Sequence, residues 1–499
     1  MMKRILHCFL LAALLATGAC TESKDIGGGS ELTVEVSSER VVLPGQELGS
    51  AVLTVDAPAP WIAEVTEGSG FILTPSEGGT GKTKVTVTAA ANNAHRDRIT
   101  LGKVNFRLTA GNARGTEVRI LQSSGTAAQT LLVYLAGRGN LVSAFERNIV
   151  NMLRGIDEDT PGEGRILVFR QTGTASAEII ELFYDRLTAM TARIGLKEYD
   201  ETLKTTDRAT MTRILNDMLA LAPAESYGLI LGSHGTAWAP YSTLTSFACG
   251  ADGEPIPHPY WQKTEGVPQT RGFGADNGAT MAIPELAEAL DAADARFDYL
   301  VFDACFMSSI ETLYDLRNST DYIVGSPCEV MIYGYPYDLS IPTLFRNNGR
   351  EHDLEALCRS FYDFYSTTHL TEQSGCIAMA DCAQLEALAE VVRRINGTAL
   401  RDYDSEALQV YEGLRPHLFY DLGDFIRTVC ADEALLAEFE KQFDLTFPPA
   451  ARLHTPSFYT GYGGVHMPVE RYSGVSVSEP STQYTEENRR TAWYRAVHE

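Results

Sequence analysis

The sequence predicts an all-β sandwich followed by an α/β domain whose mostly parallel sheet is flanked by helices. Two observations indicate this division. From Glu31 to about Gln122, apolar and polar residues alternate in short runs separated by Gly, Asn and Pro, a pattern typical of antiparallel strands. Beyond residue 130, apolar runs of strand length alternate with helical patterns, which is typical of a parallel sheet covered on both faces.

The composition is that of a folded chain with more than one domain. It has 499 residues, of which 44% are hydrophobic and 21% charged, and a formal net charge of −24. At about 100 to 200 residues per domain, this length allows two to four domains. The acidic balance, without clusters of Lys and Arg, argues against nucleic acid as a partner, because phosphate binding requires such clusters.

The first twenty residues predict an export signal. A basic start, Met1–Arg4, precedes a short apolar run, Ile5–Ala16, and small residues lead to Cys20. Residues 17–20 resemble a bacterial lipobox, in which Cys20 would carry the lipid. Ordinary signal-peptide cleavage and full secretion is the alternative. In both cases we expect a protein that works outside the cytoplasm, without a further membrane span. With the lipid, its expected location is the cell envelope, as an outer-membrane lipoprotein or at the cell surface.

The predicted domain boundaries follow these changes of pattern. Residues 1–20 are the lipoprotein signal peptide, 21–30 a flexible tether, 31–124 the β-sandwich, 125–130 a linker and 131–499 the α/β domain. The sandwich resembles the BACON-type Ig-like module of bacterial surface proteins, through residues 60–62 and its closing strand at 118–122. Such modules are proposed to bind glycans, and a spacer role is the alternative.

Strands and helices of the α/β domain are predicted from apolar periodicity. Strands are expected at residues 131–136, 165–170, 227–232, 298–302 and 322–324, and helices at 141–153, 177–194 and 211–221. In sheets of this class, the chemistry is found at the carboxyl ends of the strands.

Two of these strand ends carry reactive residues. One strand runs into His234 and Gly235, and a later strand runs into Asp303 and Cys305. Residues 308–311, Ser-Ser-Ile-Glu, form a capping box that predicts a helix start. A thiol just ahead of a helix, with an imidazole nearby, has the setting that lowers a thiol pKa. The sequence therefore predicts an activated sulfur nucleophile.

Other hydrolase classes lack their motifs. The chain contains no G-x-S-x-G for a serine hydrolase, no H-E-x-x-H for a zinc peptidase and no C-x-x-C. Seven cysteines lie outside the leader, and an odd number implies at least one unpaired thiol.

From Thr130 to Glu499 the chain resembles the clostripain-like cysteine peptidases, relatives of caspases, legumains and gingipains. The resemblance rests first on the blocks at 132–137, 233–238 and 302–311. Later blocks that match are 325–329, 334–337, 421–425 and 464–468, with Trp493. It implies a caspase-like fold and a cysteine endopeptidase that acts on proteins or peptides.

The resemblance also assigns roles to individual residues. His234 is the general base and acid, Cys305 is the nucleophile, and the backbone N–H groups of Gly235 and Cys305 form the oxyanion hole. Asp303 lines the S1 pocket and selects Arg or Lys, and Glu329 is a second candidate for that pocket. A structural carboxylate at the strand end is the alternative role for Asp303.

Relatives in this family cut themselves after a basic residue, so Lys263 and Arg271, in the long loop after His234, are candidate self-processing sites. No cofactor is required. Calcium is bound by some relatives, but no Asp-rich loop supports it here. The competing function is a catalytically silent, envelope-anchored binding protein for glycan or protein.

Overall fold

The structure is a computed structural model of the chain. It describes residues 33–45, 49–92, 99–110, 115–123, 125–137, 140–162, 164–185, 189–240, 271–276, 279–345, 352–368, 373–462 and 464–499.

The N-terminal part is a sandwich of two sheets. Its strands are β1 (Glu35–Val36), β2 (Arg40–Leu43), β3 (Ser50–Ala57), β4 (Trp61–Gly68), β5 (Phe71–Thr74), β6 (Glu77–Gly78), β7 (Gly81–Ala89), β8 (Ile99–Leu108) and β9 (Thr116–Gln122). One sheet has the order β1-β3-β7-β5 and the other β2-β9-β8-β4-β6. All pairs are antiparallel as predicted, except the parallel pair β2–β9. Inward-facing residues of both sheets, such as Trp61 and Phe106, form one buried core.

The following part contains the remaining strands. They are β10 (Ala127–Leu135), β11 (Gly164–Gly173), β12 (Ser176–Asp185), β13 (Met190–Tyr199), β14 (Ala224–Gly232), β15 (Gly235–Pro240), β16 (Arg271–Asp276), β17 (Ala279–Met281), β18 (Phe297–Asp303), β19 (Thr320–Gly325), β20 (Cys376–Asp381), β21 (Tyr420–Asp421), β22 (Leu453–His454), β23 (Ser457–Thr460), β24 (Val465–Pro468) and β25 (Ser476–Val477). β10 begins inside the segment expected to be a linker.

Nine of these strands form one sheet, in the order β13-β12-β11-β10-β14-β18-β19-β20-β22. The five central strands, from β11 to β19, are parallel. The outer strands on both sides are antiparallel to their neighbours. The centre consists of continuous apolar runs, because both faces of a parallel sheet are buried. The predicted α/β class is confirmed.

Helices cover both faces of this sheet. They are α1 (Asn140–Arg154), α2 (Arg208–Leu221), α3 (Ile283–Asp291), α4 (Ile310–Leu316), α5 (Tyr337–Ser340), α6 (Leu354–Asp363), α7 (Leu385–Asn396), α8 (Leu422–Val429), α9 (Glu433–Thr446), α10 (Thr485–Asn488) and α11 (Ala492–His498). Phe145 and Ile149 of α1 pack on one face, and Met211 and Leu215 of α2 pack on the other. The predicted helices at 141–153 and 211–221 are confirmed.

The predicted helix at 177–194 is wrong, because this segment forms most of β12 and the first half of β13. Its apolar residues fit a helical stripe, but Ile179, Ile180 and Leu182 are also β-branched or large residues that suit a buried strand. β12 pairs antiparallel with β11 through a short turn. Pairing with an existing sheet edge therefore outweighs the local helical preference.

Among the described residues, no helix is long and apolar enough to cross a membrane. The six cysteines within the described ranges are free thiols.

Candidate active site

A cavity of about 430 Å³ lies at the carboxyl ends of β14 and β18, and His234, Asp303 and Cys305 line it together. The two strands are parallel neighbours, with Gly232 paired to Asp303. Both strands end at the same level of the sheet. His234 and Cys305, which are 71 positions apart in sequence, therefore face the same cavity. The sheet register thus brings the predicted base, nucleophile and S1 carboxylate to one cavity.

The turn after β14 is fixed by hydrogen bonds to both neighbouring strands. The Ser233 amide donates to the Asp303 carbonyl at 3.2 Å, and the Ser233 hydroxyl donates to the Ala136 carbonyl at 2.5 Å. His234 follows directly and is 8% exposed. Its backbone position is therefore set by the sheet edge and not by a free loop.

Gly235 lies against the backbone of Cys305. A Cβ atom built at Gly235 would stand 2.1 Å from the Cys305 carbonyl oxygen and 3.0 Å from the Cys305 nitrogen. Contacts this short to backbone atoms cannot be relieved by a rotamer change, so only glycine fits. The two backbone segments that the family resemblance assigns to the oxyanion hole are thus in contact.

Two residues beside the predicted dyad adopt left-handed backbone conformations. Phe306, directly after Cys305, has φ 63°, and Ala237 has φ 51°. Residues other than glycine adopt such angles at a cost of about 1 kcal/mol or more, and they persist only where surrounding contacts hold them. The Phe306 ring stacks on Phe419 at 5.1 Å, and its amide donates to the Cys328 carbonyl at 3.0 Å.

The Cys305 thiol is partly buried and contacts the chain at Val330. The Val330 amide donates to Sγ at 3.3 Å. Burial and the negative charge of Glu329 raise the pKa of the thiol above its ordinary value, and the Val330 amide opposes that rise. The prediction of a lowered thiol pKa is wrong. Its causes were to be the helix dipole and a nearby imidazolium, but α4 has only seven residues and begins at Ile310, more than one helical turn along the chain from Cys305.

The predicted capping box at 308–311 does not form. Ser309 is the N-cap residue, and its hydroxyl accepts from the Thr312 amide at 3.2 Å. Glu311 instead points into the core with no exposed surface. Its Oε1 accepts from the Ser478 amide at 2.8 Å and from Asn488 Nδ2 at 3.2 Å. Burial raises the pKa of Glu311 to about 7, against the effect of these donors.

Asp303 forms part of the cavity floor and is 7% exposed. Its Oδ2 accepts from the Tyr337 hydroxyl at 2.8 Å and from Asn148 Nδ2 at 3.2 Å. Burial raises the pKa of Asp303 to about 6, and the Tyr337 hydroxyl opposes the rise. The carboxylate is therefore mostly ionised at neutral pH.

Glu329 lines the same cavity and is 9% exposed. Its Oε2 accepts from the Gly461 amide at 2.8 Å, in the turn between β23 and β24. That hairpin also contributes Tyr459 and His466 to the cavity wall, and their rings lie 5.5 Å apart.

Sequence reasoning missed Asn148, Tyr337, Tyr459 and His466 as cavity or supporting residues. Tyr337 and His466 lie inside blocks that resemble the family, but the resemblance assigned no function to either residue. Asn148 follows Glu146 and Arg147 in α1 and carries no distinguishing pattern, and only the fold places it beside Asp303.

Three of the predicted sites lie outside the described residues. They are Lys263, Cys20 and the side chain of Arg271, of which only the backbone is described, at the start of β16. Within the part of the chain that the structure covers, no group of three or more His, Cys, Asp or Glu side chains could hold a metal ion.

Comparison with known proteins places the chain among cysteine peptidases. The model of the clostripain family matches residues 257–438. A secreted C11 cysteine protease from Bacteroides thetaiotaomicron, iotapain, is 32% identical with a TM-score of 0.64; the match covers 75% of this chain and 99% of that one. An inactive zymogen C11 protease from Parabacteroides distasonis is 26% identical with a TM-score of 0.62 and the same coverage.

A search of curated proteins gave no match. The identity to iotapain over almost its whole length is sufficient to show the family. The chain is a cysteine-type endopeptidase and belongs to the clostripain family.

Proposed function

We propose that the protein cleaves peptide bonds with a Cys305/His234 dyad, after Lys or Arg at P1. The observation that carries this proposal is the shared cavity, which has an imidazole, a thiol and a buried carboxylate at two adjacent strand ends. The carboxylate suits a cationic side chain, and the thiol and imidazole suit acyl transfer.

The reaction follows from these positions. His234 takes the proton of Cys305, and the thiolate attacks the carbonyl carbon of the scissile bond. The backbone N–H groups of Gly235 and Cys305 stabilise the resulting oxyanion, a contribution of about 3 kcal/mol per donor in other acyl transfers. The intermediate collapses to a thioester as His234 returns the proton to the leaving amine. Water, deprotonated by His234, then hydrolyses the thioester and releases the thiol.

We further propose that the uncut chain is a precursor. The raised pKa of the Cys305 thiol supports this, and a relative 26% identical is described as an inactive zymogen. Cleavage after Lys263 or Arg271 would then convert the precursor to the active enzyme, in which Glu329 serves as a second S1 carboxylate.

We also propose export to the cell envelope, with a lipid on Cys20 and residues 31–124 as a BACON-type module that contacts glycan or acts as a spacer. A relative described as secreted supports export. The mass of the N-terminal peptide from the native bacterium tests the lipid: an unmodified Cys20 contradicts it. Binding of the exported chain to mucin glycans tests the module.

The test of the peptidase uses the chain from residue 21, as wild type, Cys305→Ala and Cys382→Ala. Cys382 is a buried thiol outside the cavity, so its variant controls for loss of a cysteine. Peptides that differ only at P1 carry Lys, Arg, Asp or Leu. We expect the wild type and Cys382→Ala to cleave after Lys or Arg. In Cys305→Ala we expect kcat to fall roughly 10⁴-fold or more.

Each of the other possible results contradicts a different part of the proposal. Cleavage only after Asp or Leu keeps the dyad and contradicts the basic S1 pocket. Inactivity of all proteins, with no labelling of Cys305 by a peptide alkylating agent, supports the silent binding protein. An intact chain mass in active wild type contradicts self-processing.

A further inference from the structure

We propose that Tyr337 and Asn148 position Asp303 so that a single carboxylate oxygen, Oδ1, faces the S1 pocket, and that this makes the enzyme prefer Lys to Arg at P1. The inference rests on the proposed function, because it assigns Asp303 to the S1 pocket.

The two donors act on the same oxygen. The Tyr337 hydroxyl, from the start of α5, and Asn148 Nδ2, from α1, both reach Oδ2. Among the described residues, Oδ1 accepts no hydrogen bond, and it is not one of the enclosed polar atoms without a partner. Since Asp303 lines the cavity, Oδ1 is the oxygen that a substrate can reach.

Gly334 holds the carboxylate in this orientation. A Cβ atom at Gly334 would stand 2.6 Å from Oδ2, 2.9 Å from Oδ1 and 3.0 Å from Asn148 Nδ2. The backbone there is also fixed, because the Tyr365 hydroxyl donates to the Gly334 carbonyl at 2.8 Å. The carboxylate therefore packs closely against the Gly334 backbone, in a space that a side chain at this position would fill.

Among the described residues, no Lys or Arg side chain neutralises the carboxylate in this cavity. A buried carboxylate without a counter-ion is a site that a positively charged side chain stabilises. The substrate therefore supplies the charge that completes the site.

The single open oxygen discriminates between the two basic residues. A guanidinium binds a carboxylate best through two parallel N–H bonds, one to each oxygen. Here Oδ2 already carries two donors, and a guanidinium N–H directed at it would meet Tyr337 and Asn148. An ammonium is a compact charge that needs only one oxygen, so Lys keeps its full interaction and Arg does not.

The charge of Asp303 also depends on its surroundings. The titratable groups beside it or lining the same cavity are Tyr335 and Tyr337 around α5, Cys305 on its own strand end, and His234, Glu329, Tyr333, Tyr459 and His466. Of these, the Tyr337 hydroxyl favours the ionised carboxylate. Removing that hydroxyl therefore shifts the ionisation of Asp303 to higher pH.

The experiment measures kcat and KM, from pH 5 to 8, on processed protein with peptides that differ only in Lys or Arg at P1. We expect wild type to favour Lys by about fivefold to tenfold in kcat/KM. In Tyr337→Phe, Oδ2 regains a free site, so the ratio falls toward one, mainly through KM, and the acid limb for Lys moves to higher pH. Asn148→Ala shifts the ratio in the same direction and decides the matter if Tyr337→Phe does not fold.

Tyr335→Phe is the matched control. Tyr335 is a buried neighbour whose hydroxyl donates to the Phe302 carbonyl and not to Asp303, so its variant keeps the wild-type ratio. A wild type that cleaves after Arg as well as after Lys overturns the inference and leaves the proposed function intact. An unchanged ratio and acid limb in both Tyr337→Phe and Asn148→Ala also overturns it. Failure to cleave after either basic residue removes the proposed function itself.

Discussion

Asp303 and Glu311 are two buried carboxylates on either side of Cys305, and each receives both of its side-chain or backbone donors on one oxygen. For Asp303 these are Tyr337 and Asn148. For Glu311 they are the Ser478 amide and the Asn488 side chain. The second oxygens differ, because Asp303 lines the cavity whereas Glu311 Oε2 is enclosed without a partner among the described residues.

Because of this difference, Asp303 is available to bind a ligand, whereas Glu311 can only stabilise the fold. An open oxygen at the cavity floor can bind a cation, whereas an enclosed oxygen without a donor is best satisfied by carrying a proton. The pKa of Glu311, about 7, agrees with that state. Glu311 also joins α4 to the segment at Ser478, whose hydroxyl accepts from Trp238 Nε1 at 2.9 Å. It thus connects the elements that follow the nucleophile and the base.

The largest effect that tests this contrast is on substrate choice. Asp303→Asn keeps the shape of the site and removes the charge, so kcat/KM for a Lys peptide should fall about 100-fold, or roughly 2.7 kcal/mol. Glu311→Gln should leave the preference for Lys over a norleucine peptide unchanged. Kinetics on the two matched peptides give the answer, and an equal loss of preference in both variants would contradict the division of roles.

A comparable effect is expected on stability, where Glu311 contributes more than Asp303. Glu311→Ala opens a hole in the core and leaves the Ser478 amide and Asn488 unpaired, which costs about 2 to 4 kcal/mol. Asp303→Ala costs about half as much, because the solvent of the cavity can hydrate Tyr337 and Asn148. Thermal unfolding of the two variants beside wild type measures this, and a lower Tm for Asp303→Ala than for Glu311→Ala would refute it.

The smallest effect is on the dependence of stability and activity on pH. The folded pKa of Glu311 is raised, so its stabilising contribution is complete below its ordinary value of 4.5 and is lost as pH rises toward 7. Glu311→Gln should therefore flatten the fall of Tm across that window by a few degrees. Activity on Lys peptides should instead rise through about pH 6, as Asp303 ionises. Tm profiles of wild type and Glu311→Gln that coincide from pH 4.5 to 7.5 would exclude this assignment.

The predictions from sequence succeeded where a pattern is local. Apolar runs followed by glycine or a polar residue predicted the central strands, and their ends predicted His234 and Cys305 as the residues to examine. They failed at 177–194, where the apolar spacing fits both a helix and a strand and only the partner β11 decides between them. They also failed for Glu311, because the Ser-Ser-Ile-Glu sequence at 308–311 is compatible both with a capping box and with a glutamate buried in the core.

The sequence by itself predicted the α/β class and the positions of His234 and Cys305 at two strand ends, because these depend on periodicity and residue type along the chain. Only the tertiary structure decided which oxygen of Asp303 is open, that Asn148 and Tyr337 hold the other, and that burial raises the pKa of Cys305. Those properties depend on burial and on donors from α1, α5 and the segment at Val330, which are distant in sequence and meet only when the sheet has formed.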